Sequence, residues 1–332
     1  MIISRTPFRI SFFGGGTDYP VWYREHGGAV LSTTFNKYSH ISCRYLPPFF
    51  DYKYLIRYRL REETSTISEI NHPSVRECLT FMGIERGVEI IYTGDVPAQS
   101  GIGSSSAFTV GLLNALSALK GQIVTKRKLA RDAIYVEQEL IRENVGAQDQ
   151  VATSFGGFNR INFGGNSDFY VTPITVEKRT LETLESHLML LFTGFSRNAS
   201  NIAAEQIKQT PNRKAELTRI KEMVDEAVTI LGQGEDDITD FGKLMHEAWK
   251  IKRSLSPLVT TPEIECIYEK ARREGAIGGK LLGAGGGGFM LLFVRPEAHA
   301  RIREKLGSLV HVPFAFEELG SQVVLYSTQD VY

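Results

Sequence analysis

Over the first hundred residues the apolar positions come in short runs. Stretches rich in β-branched and aromatic residues at 9–13, 30–35, 40–46 and 54–60, set between glycine and polar clusters, predict strands. In the last of them Ile56, Tyr58 and Leu60 alternate with Arg57, Arg59 and Arg61, the period of one half-exposed strand. A helix is predicted over 73–82 and a further strand over 88–93. The period then changes. Phe108, Leu112, Ala115, Leu116 and Leu119 recur at helical spacing over 105–120, and Leu129, Ala133, Val136 and Leu140 do so after Thr125, a favourable N-cap. Strands are predicted again at 157–163, 169–174 and 187–193. From 199 to 274 the repeat is helical, with Leu217, Ile220, Val224, Ala227, Val228 and Leu231 on one face and breaks at Pro257 and Pro262. Beyond it come a strand (289–294), a helix (297–306) and two strands (309–316 and 321–327). Helices and strands mix without a regular βαβα beat, so the fold class is α+β. The charged stretch near 177–186 divides the chain into two expected domains, 1–182 and 183–332.

Charge and composition narrow the function. The 38 Lys+Arg balance 38 Asp+Glu, whereas a general nucleic-acid binder carries a basic excess, so no nucleic-acid partner is expected. Its 332 residues suffice to bury about 75% of the unfolded surface without disulfide or metal staples. Cys43, Cys78 and Cys266 lie far apart, and no CxxC pair exists for a zinc ribbon or a thioredoxin-type site. A free, odd cysteine count fits a reducing cytoplasm. The first nine residues lack a signal-peptide core, and apolar runs such as 289–294 fall far short of the ~20 residues of a membrane span, so neither export nor a membrane is expected. The seven histidines show no ligand spacing and receive neither a metal nor a catalytic role. Glycine stands out: 31 residues cluster at 14–16, 27–28, 101–103, 156–157, 164–165 and 283–288, which suggests a ligand surrounded by main chain.

Four segments carry candidate chemistry. Pro97-Ala-Gln-Ser-Gly-Ile-Gly-Ser-Ser-Ser-Ala107 lies between a predicted strand and a predicted helix. Free amides at a helix start, together with its dipole, bind phosphate; Gly101 and Gly103 allow close approach around Ile102, and Ser104, Ser105 and Ser106 add hydroxyls for phosphate or Mg²⁺. A plainly capped helix would use the same residue types. No lysine follows the glycines, so this is not a Walker A loop. In Lys280-Leu-Leu-Gly-Ala-Gly-Gly-Gly-Gly-Phe289 the glycines precede a strand rather than a helix, which argues against a dinucleotide fingerprint; Gly285 and Gly286 would line a pocket wall or belong to a flexible loop. Glu137 and Asp149 could divide the work of holding Mg²⁺ and facing an attacking hydroxyl, although either alone would pass for a solvated acid. The run from Pro7 to Tyr19 places Gly15, Gly16, Thr17 and Asp18 at the end of an apolar strand, where a carboxylate can accept hydrogen bonds from hydroxyls or simply close an Asx turn. Arg9, half-buried in that strand, needs an acidic partner.

In this order the segments resemble the GHMP small-molecule kinases, the family of galactokinase, homoserine kinase and mevalonate kinase. The resemblance covers the whole chain through Pro7, Arg9 and Asp18, through 97–107, through 280–289, and through Asp149 followed by Gly156 and Gly157. It implies a ribosomal-protein-like N-terminal domain with a left-handed βαβ feature, a ferredoxin-like C-terminal domain, and a cleft between them. ATP would lie along 101–106, with Mg²⁺ held by Ser105 and Glu137, Asp149 on the acceptor hydroxyl and Arg9 fixing Asp149. Two departures matter. Gly15 and Gly16 stand where galactokinase-like members carry Glu-His, so the resemblance does not extend to galactose. Leu282 replaces the usual Ser or Thr of the third motif and receives no role. The segments 13–20 and 146–150 and the His26-Gly-Gly run look most like those of kinases that phosphorylate the anomeric hydroxyl of a phosphorylated heptose. A sugar already bearing phosphate calls for a cationic clamp, and Arg197, expected at a helix start, is the candidate. The expected partners are ATP and a small phosphorylated sugar, and a second copy of the chain is admissible. Competing readings are a fucose-, arabinose- or isoprenoid-alcohol kinase, a nucleotide-binding regulator without turnover, and an oxidoreductase built on the 283–288 glycines.

Overall fold

Strand β1, Ile2–Phe13, and strand β2, Gly28–Tyr45, are buried along most of their length and pair antiparallel from Ile2 opposite Cys43 to Phe13 opposite Leu31. The register shifts between Pro7 and Phe8, where proline lacks the amide a ladder requires. Just beyond that bulge the Arg9 amide donates to the Ile102 carbonyl (3.1 Å). A bulge of this kind re-aims side chains, and here it ties the strand to the glycine-rich loop. These elements come from a computed structural model, which describes residues 1–165, 168–194, 199–234 and 238–327.

The remaining strands are β3 (Tyr54–Arg57), β4 (Arg61–Thr64), β5 (Val88–Gly94), β6 (Asn159–Phe163), β7 (Phe169–Pro173), β8 (Leu188–Phe192), β9 (Ala276–Leu281), β10 (Phe289–Val294), β11 (Val310–Val312), β12 (Phe316–Glu317) and β13 (Gln322–Tyr326). One sheet runs β13-β1-β2-β5-β3-β4, with β12 and β6 also paired to β2 and β7 paired to β6. The helix Ser104–Leu119 packs on it and is buried nearly all round. Gly111 permits this approach, since a Cβ there would lie 2.9 Å from the Thr6 hydroxyl. The second sheet is β11-β8-β10-β9, all antiparallel, the 4-1-3-2 order of a β-α-β-β-α-β unit. One apolar cluster joins the two sheets: Phe8, Ile10 and Phe12 meet Phe241 and Met245 of the helix Ile238–Ser254, and Leu291 and Phe293 of β10. A separate cluster around Trp249, Tyr268 and Leu292 covers the other face of the second sheet. Among the described residues no helix is long and apolar enough to cross a membrane.

The α+β class holds, and the differences from the sequence pattern are local. The alternation over 54–60 crosses a turn: β3 and β4 form a hairpin, and Leu60 is exposed. The runs at 30–35 and 40–46 are one strand of 18 residues: Asn36 and Lys37 form the bulge opposite Pro7 and Phe8, and pairing with β1 resumes at Tyr38 and Ser39. The stretch 309–316 is divided between the two sheets. The charged segment near 177–186 is a helix, Lys178–Ser186, amphipathic enough to bury Thr180 and Leu184. After the second sheet is complete, β12 and β13 return to the first, so the chain crosses between the layers twice.

Candidate active site

The strand β5 leads into a loop that cannot be built without unusual backbone. Gln99, Gly101 and Gly103 all adopt positive φ (57°, 82° and 74°). Gly101 is also in tight contact with the third motif, since a Cβ there would meet the Leu282 carbonyl at 2.5 Å. The first intrahelical bond runs from the Ala107 amide to the Gly103 carbonyl (2.8 Å), so the amides of Ser104, Ser105 and Ser106 precede the helical ladder and open on a cleft. Ile102 lies fully in the core and anchors the loop from behind.

Asp149 stands in the first turn of the helix Gln148–Phe155, beside Gly103, whose bare Cα leaves room for both Arg9 and this carboxylate. The Arg9 Nε and Nη2 donate to Asp149 Oδ1 and Oδ2 (2.7 and 2.8 Å), and Nη1 donates to the Gly101 carbonyl (2.7 Å). This planar fork fixes the carboxylate and the nucleotide-type loop in one stroke. The arginine side chain is 3% exposed and the aspartate 23%, so the acid reaches the cleft while its partner is sealed behind it.

Glu137 is fully buried in a π-helical turn, Val136–Leu140, where the extra residue per turn points it inward. Its Oε2 accepts from the Ser106 hydroxyl (2.9 Å) and from the Gln150 amide; Oε1 has no hydrogen bond of good geometry, and the nearby Thr109 hydroxyl also favours the ionised form. Burial pushes its carboxyl up to about 7. Asp18 is buried too; it accepts from the Gly16 amide (2.9 Å) and the Gln148 amide (3.3 Å), and burial followed by the charge of Asp149 raises its pKa.

Most of the expected site residues meet in this one cleft: Arg9, Gly15, Gly16, Asp18, Gly101, Gly103, Ser104, Ser105, Ser106 and Asp149 all line it. Others do not. Ser105 is exposed on the rim, and the hydroxyl beside Glu137 belongs to Ser106, because one step along the helix carries the side chain from the solvent face to the buried one. Thr17 is turned inward, donating to the carbonyls of Gly14 and Ala29 (2.8 and 3.0 Å), and supports the turn instead of a ligand. Gly285 and Gly286 pack against Val259, the former where a Cβ would lie 2.5 Å from its carbonyl, the latter through an amide-to-carbonyl bond of 2.9 Å. In the clusters at 27–28, 156–157 and 164–165, Gly28, Gly156 and Gly164 serve backbone-to-backbone packing, as at Gly156 against Gly320. Arg197 lies outside the described residues.

Two lysines complete the wall, Lys252 from the helix Ile238–Ser254 and Lys280 from β9. Neither was singled out from the sequence. A signal existed for Lys252: it continues the stripe Phe241, Met245, Ala248, Trp249 on the buried face of its helix, a register where a solvated lysine does not belong.

Two family models match the chain, one for the N-terminal domain of GHMP kinases over residues 72–157 and one for their C-terminal domain over residues 230–311. The chain belongs to the GHMP kinases. As such it is a phosphotransferase with an alcohol group as acceptor. This GHMP kinase is 29% identical over 320 residues to the D-glycero-alpha-D-manno-heptose 7-phosphate kinase of Campylobacter jejuni, covering 89% of this chain and 90% of that one. It is 25% identical to the L-fucokinase/L-fucose-1-P guanylyltransferase of Bacteroides fragilis, over 92% of this chain but 36% of that protein. Its fold superposes on the crystal structure of a D-glycero-D-manno-heptose 1-phosphate kinase from Bacteroides thetaiotaomicron with a TM-score of 0.78 at 22% identity, over 98% and 100% of the two chains.

Proposed function

We propose that this GHMP kinase transfers the terminal phosphoryl group of ATP to the anomeric hydroxyl of a phosphorylated heptose, converting D-glycero-D-manno-heptose 7-phosphate to the 1,7-bisphosphate on the way to a nucleotide-activated heptose. The observation that carries the chemistry is the Asp149 carboxylate, forked by Arg9, in the same cleft as the open start of the helix Ser104–Leu119. The choice of sugar is supported by the Campylobacter jejuni relative, which aligns along nearly the whole chain.

The amides at 103–106 would bind the β- and γ-phosphates, with the helix dipole favouring their charge. The acceptor oxygen attacks the γ-phosphorus as the bond to the β,γ-bridging oxygen breaks, and ADP leaves with that electron pair. The acceptor's proton passes to Asp149, whose direction Arg9 fixes. Buried Asp18 offers carboxylate oxygens to the remaining sugar hydroxyls. Magnesium suits the residues present: Mg²⁺ usually takes one or two carboxylates plus phosphate and water, and Glu137, beside the Ser106 hydroxyl, has a buried Oε1 with no hydrogen bond of good geometry. When bound there, the ion would neutralise charge on the transferring phosphate oxygens.

The deciding experiment offers Mg-ATP with heptose 7-phosphate, fucose, arabinose, galactose and mevalonate, reads ADP release, and locates the new phosphate by ³¹P NMR. Turnover confined to heptose 7-phosphate, with the phosphate on the anomeric carbon, is expected. ADP release with fucose alone would move the assignment to the fucokinase reading that the Bacteroides fragilis relative supports. ATP binding without ADP release on any acceptor would leave a regulator.

A further inference from the structure

Among the described residues three cations border the cleft, and of these Arg9 alone is paired with a carboxylate. Arg9 is spent on Asp149 and Gly101. Lys252 and Lys280 are each more than nine-tenths buried, and neither forms an ion pair among the described residues. The Lys252 ammonium donates to the carbonyls of Leu281 and Gly283 (2.9 and 2.5 Å), and the Lys280 ammonium to the Phe12 carbonyl (2.8 Å). An ammonium has three N–H donors, so one remains on Lys252 and two on Lys280.

Their place in the fold tells what those donors face. Gly283 packs on Gly101, since a Cβ at 283 would lie 2.5 Å from the Gly101 Cα. Arg9 and Lys252 therefore grip adjoining turns, one on the phosphate loop and one on the third motif. Lys280 reaches across from the second sheet to β1 and closes the same wall. Burial holds both ammonium groups below their usual range, Lys252 to about 7; the charge of Lys252 adds to the effect at Lys280, Arg9 adds to it at both, and Asp18 opposes it. Carbonyls, and for Lys252 the Trp249 ring (5.9 Å), offset part of the charge, but a buried cation without a carboxylate is costly, and an anion in the cleft would complete the site.

We propose that Lys252 and Lys280 form a phosphate-binding pair, one that receives a phosphate dianion in the cleft beside Arg9. The dianion could belong to the nucleotide's terminal phosphate or to the acceptor's own phosphate. The second source rests on the heptose 7-phosphate reading; the first does not.

Equilibrium binding to K252Q and K280Q distinguishes the two, with ADP, the β,γ-imido analogue of ATP, heptose 7-phosphate and unphosphorylated heptose as probes. At least tenfold weaker binding of the ATP analogue, with ADP within twofold, assigns the pair to the nucleotide. The same loss for heptose 7-phosphate, with heptose within twofold, assigns it to the acceptor. Equal losses for all four probes, or none, overturn the proposal. If heptose 7-phosphate does not bind the unsubstituted protein, only the substrate reading fails, and the nucleotide probes still decide the lysines. Should either glutamine variant not fold, K252M or K280M, which keeps the apolar stem without the charge, takes its place in the same titrations, and binding of every probe within twofold of the unsubstituted protein overturns the proposal.

Discussion

Glu137 makes stability depend on pH in a direction opposite to most carboxylates. In the unfolded chain its carboxyl ionises near 4.5, whereas in the fold burial delays ionisation to about 7. Over that interval the unfolded chain loses its proton and the folded one keeps it, so stability is full below 4.5, falls as pH rises, and levels off above about 7. At about 1.4 kcal/mol per pH unit the fall is about 3 kcal/mol. In Glu137→Gln the amide oxygen can still accept from Ser106 and Gln150, and no charge forms. The assay is urea unfolding at intervals from pH 4.5 to 8 in EDTA for both proteins. The difference in unfolding free energy between them should shift by about 3 kcal/mol across the range, in favour of the variant at high pH. Magnesium at pH 8 should recover part of the loss in the unsubstituted protein alone, because it binds the ionised folded form. A difference that stays constant with pH would refute the assignment of Glu137 as a buried, cation-seeking acid.

Three further outcomes are expected. Asp149→Asn should lower kcat roughly 10²–10⁴-fold, the range for a general base, with KM for ATP little changed; near-normal turnover would remove Asp149 from the reaction. Gly146→Ala would place a Cβ 1.8 Å from Asp18 Oδ2, so the acid must move; KM for the acceptor should rise at least tenfold while ADP affinity stays within twofold, and an unchanged acceptor KM would detach Asp18 from the sugar. Thr17→Val removes a buried hydroxyl that donates to two carbonyls and accepts from the Ala29 amide; it should cost about 1–3 kcal/mol in unfolding free energy, and an acceptor KM that changes far more than stability would return Thr17 to the ligand.

Much of the site was legible because its chemistry is written in consecutive residues. The loop at 97–107 announces a helix start with free amides, and both glycines adopt the backbone that only glycine takes easily. Arg9 in an apolar strand required an acid, and Asp149 is there, 140 positions away in sequence. What stayed hidden depends on three-dimensional contact. Whether Ser105 or Ser106 faces Glu137 is settled by a helical rotation that depends on where the first turn begins. Thr17, Gly285 and Gly286 sit within promising motifs, but their atoms are used up by neighbouring backbone. Lys252 and Lys280 come from a helix and a strand whose meeting point no local pattern encodes. The merging of 30–35 with 40–46 into one strand was masked for a similar reason: Asn36 and Lys37 bulge out of the ladder, and the strand is carried past them by pairing to β1 and β5 that resumes by Ser39.

The strand Gln322–Tyr326 flanks Ile2–Phe13, and just before it Ser321 reaches Thr6, Asn114 and the Thr153 carbonyl. On a ribosome, more than three hundred residues separate the synthesis of these two neighbours. Until the later one emerges, the edge of β1 lies bare and ready to pair with any extended segment nearby. Expressing the first sheet and its nucleotide loop as a separate fragment would leave that edge permanently open. The half that carries Arg9 and Asp149 thus has the edge of its sheet closed by residues that follow the half carrying Lys252 and Lys280.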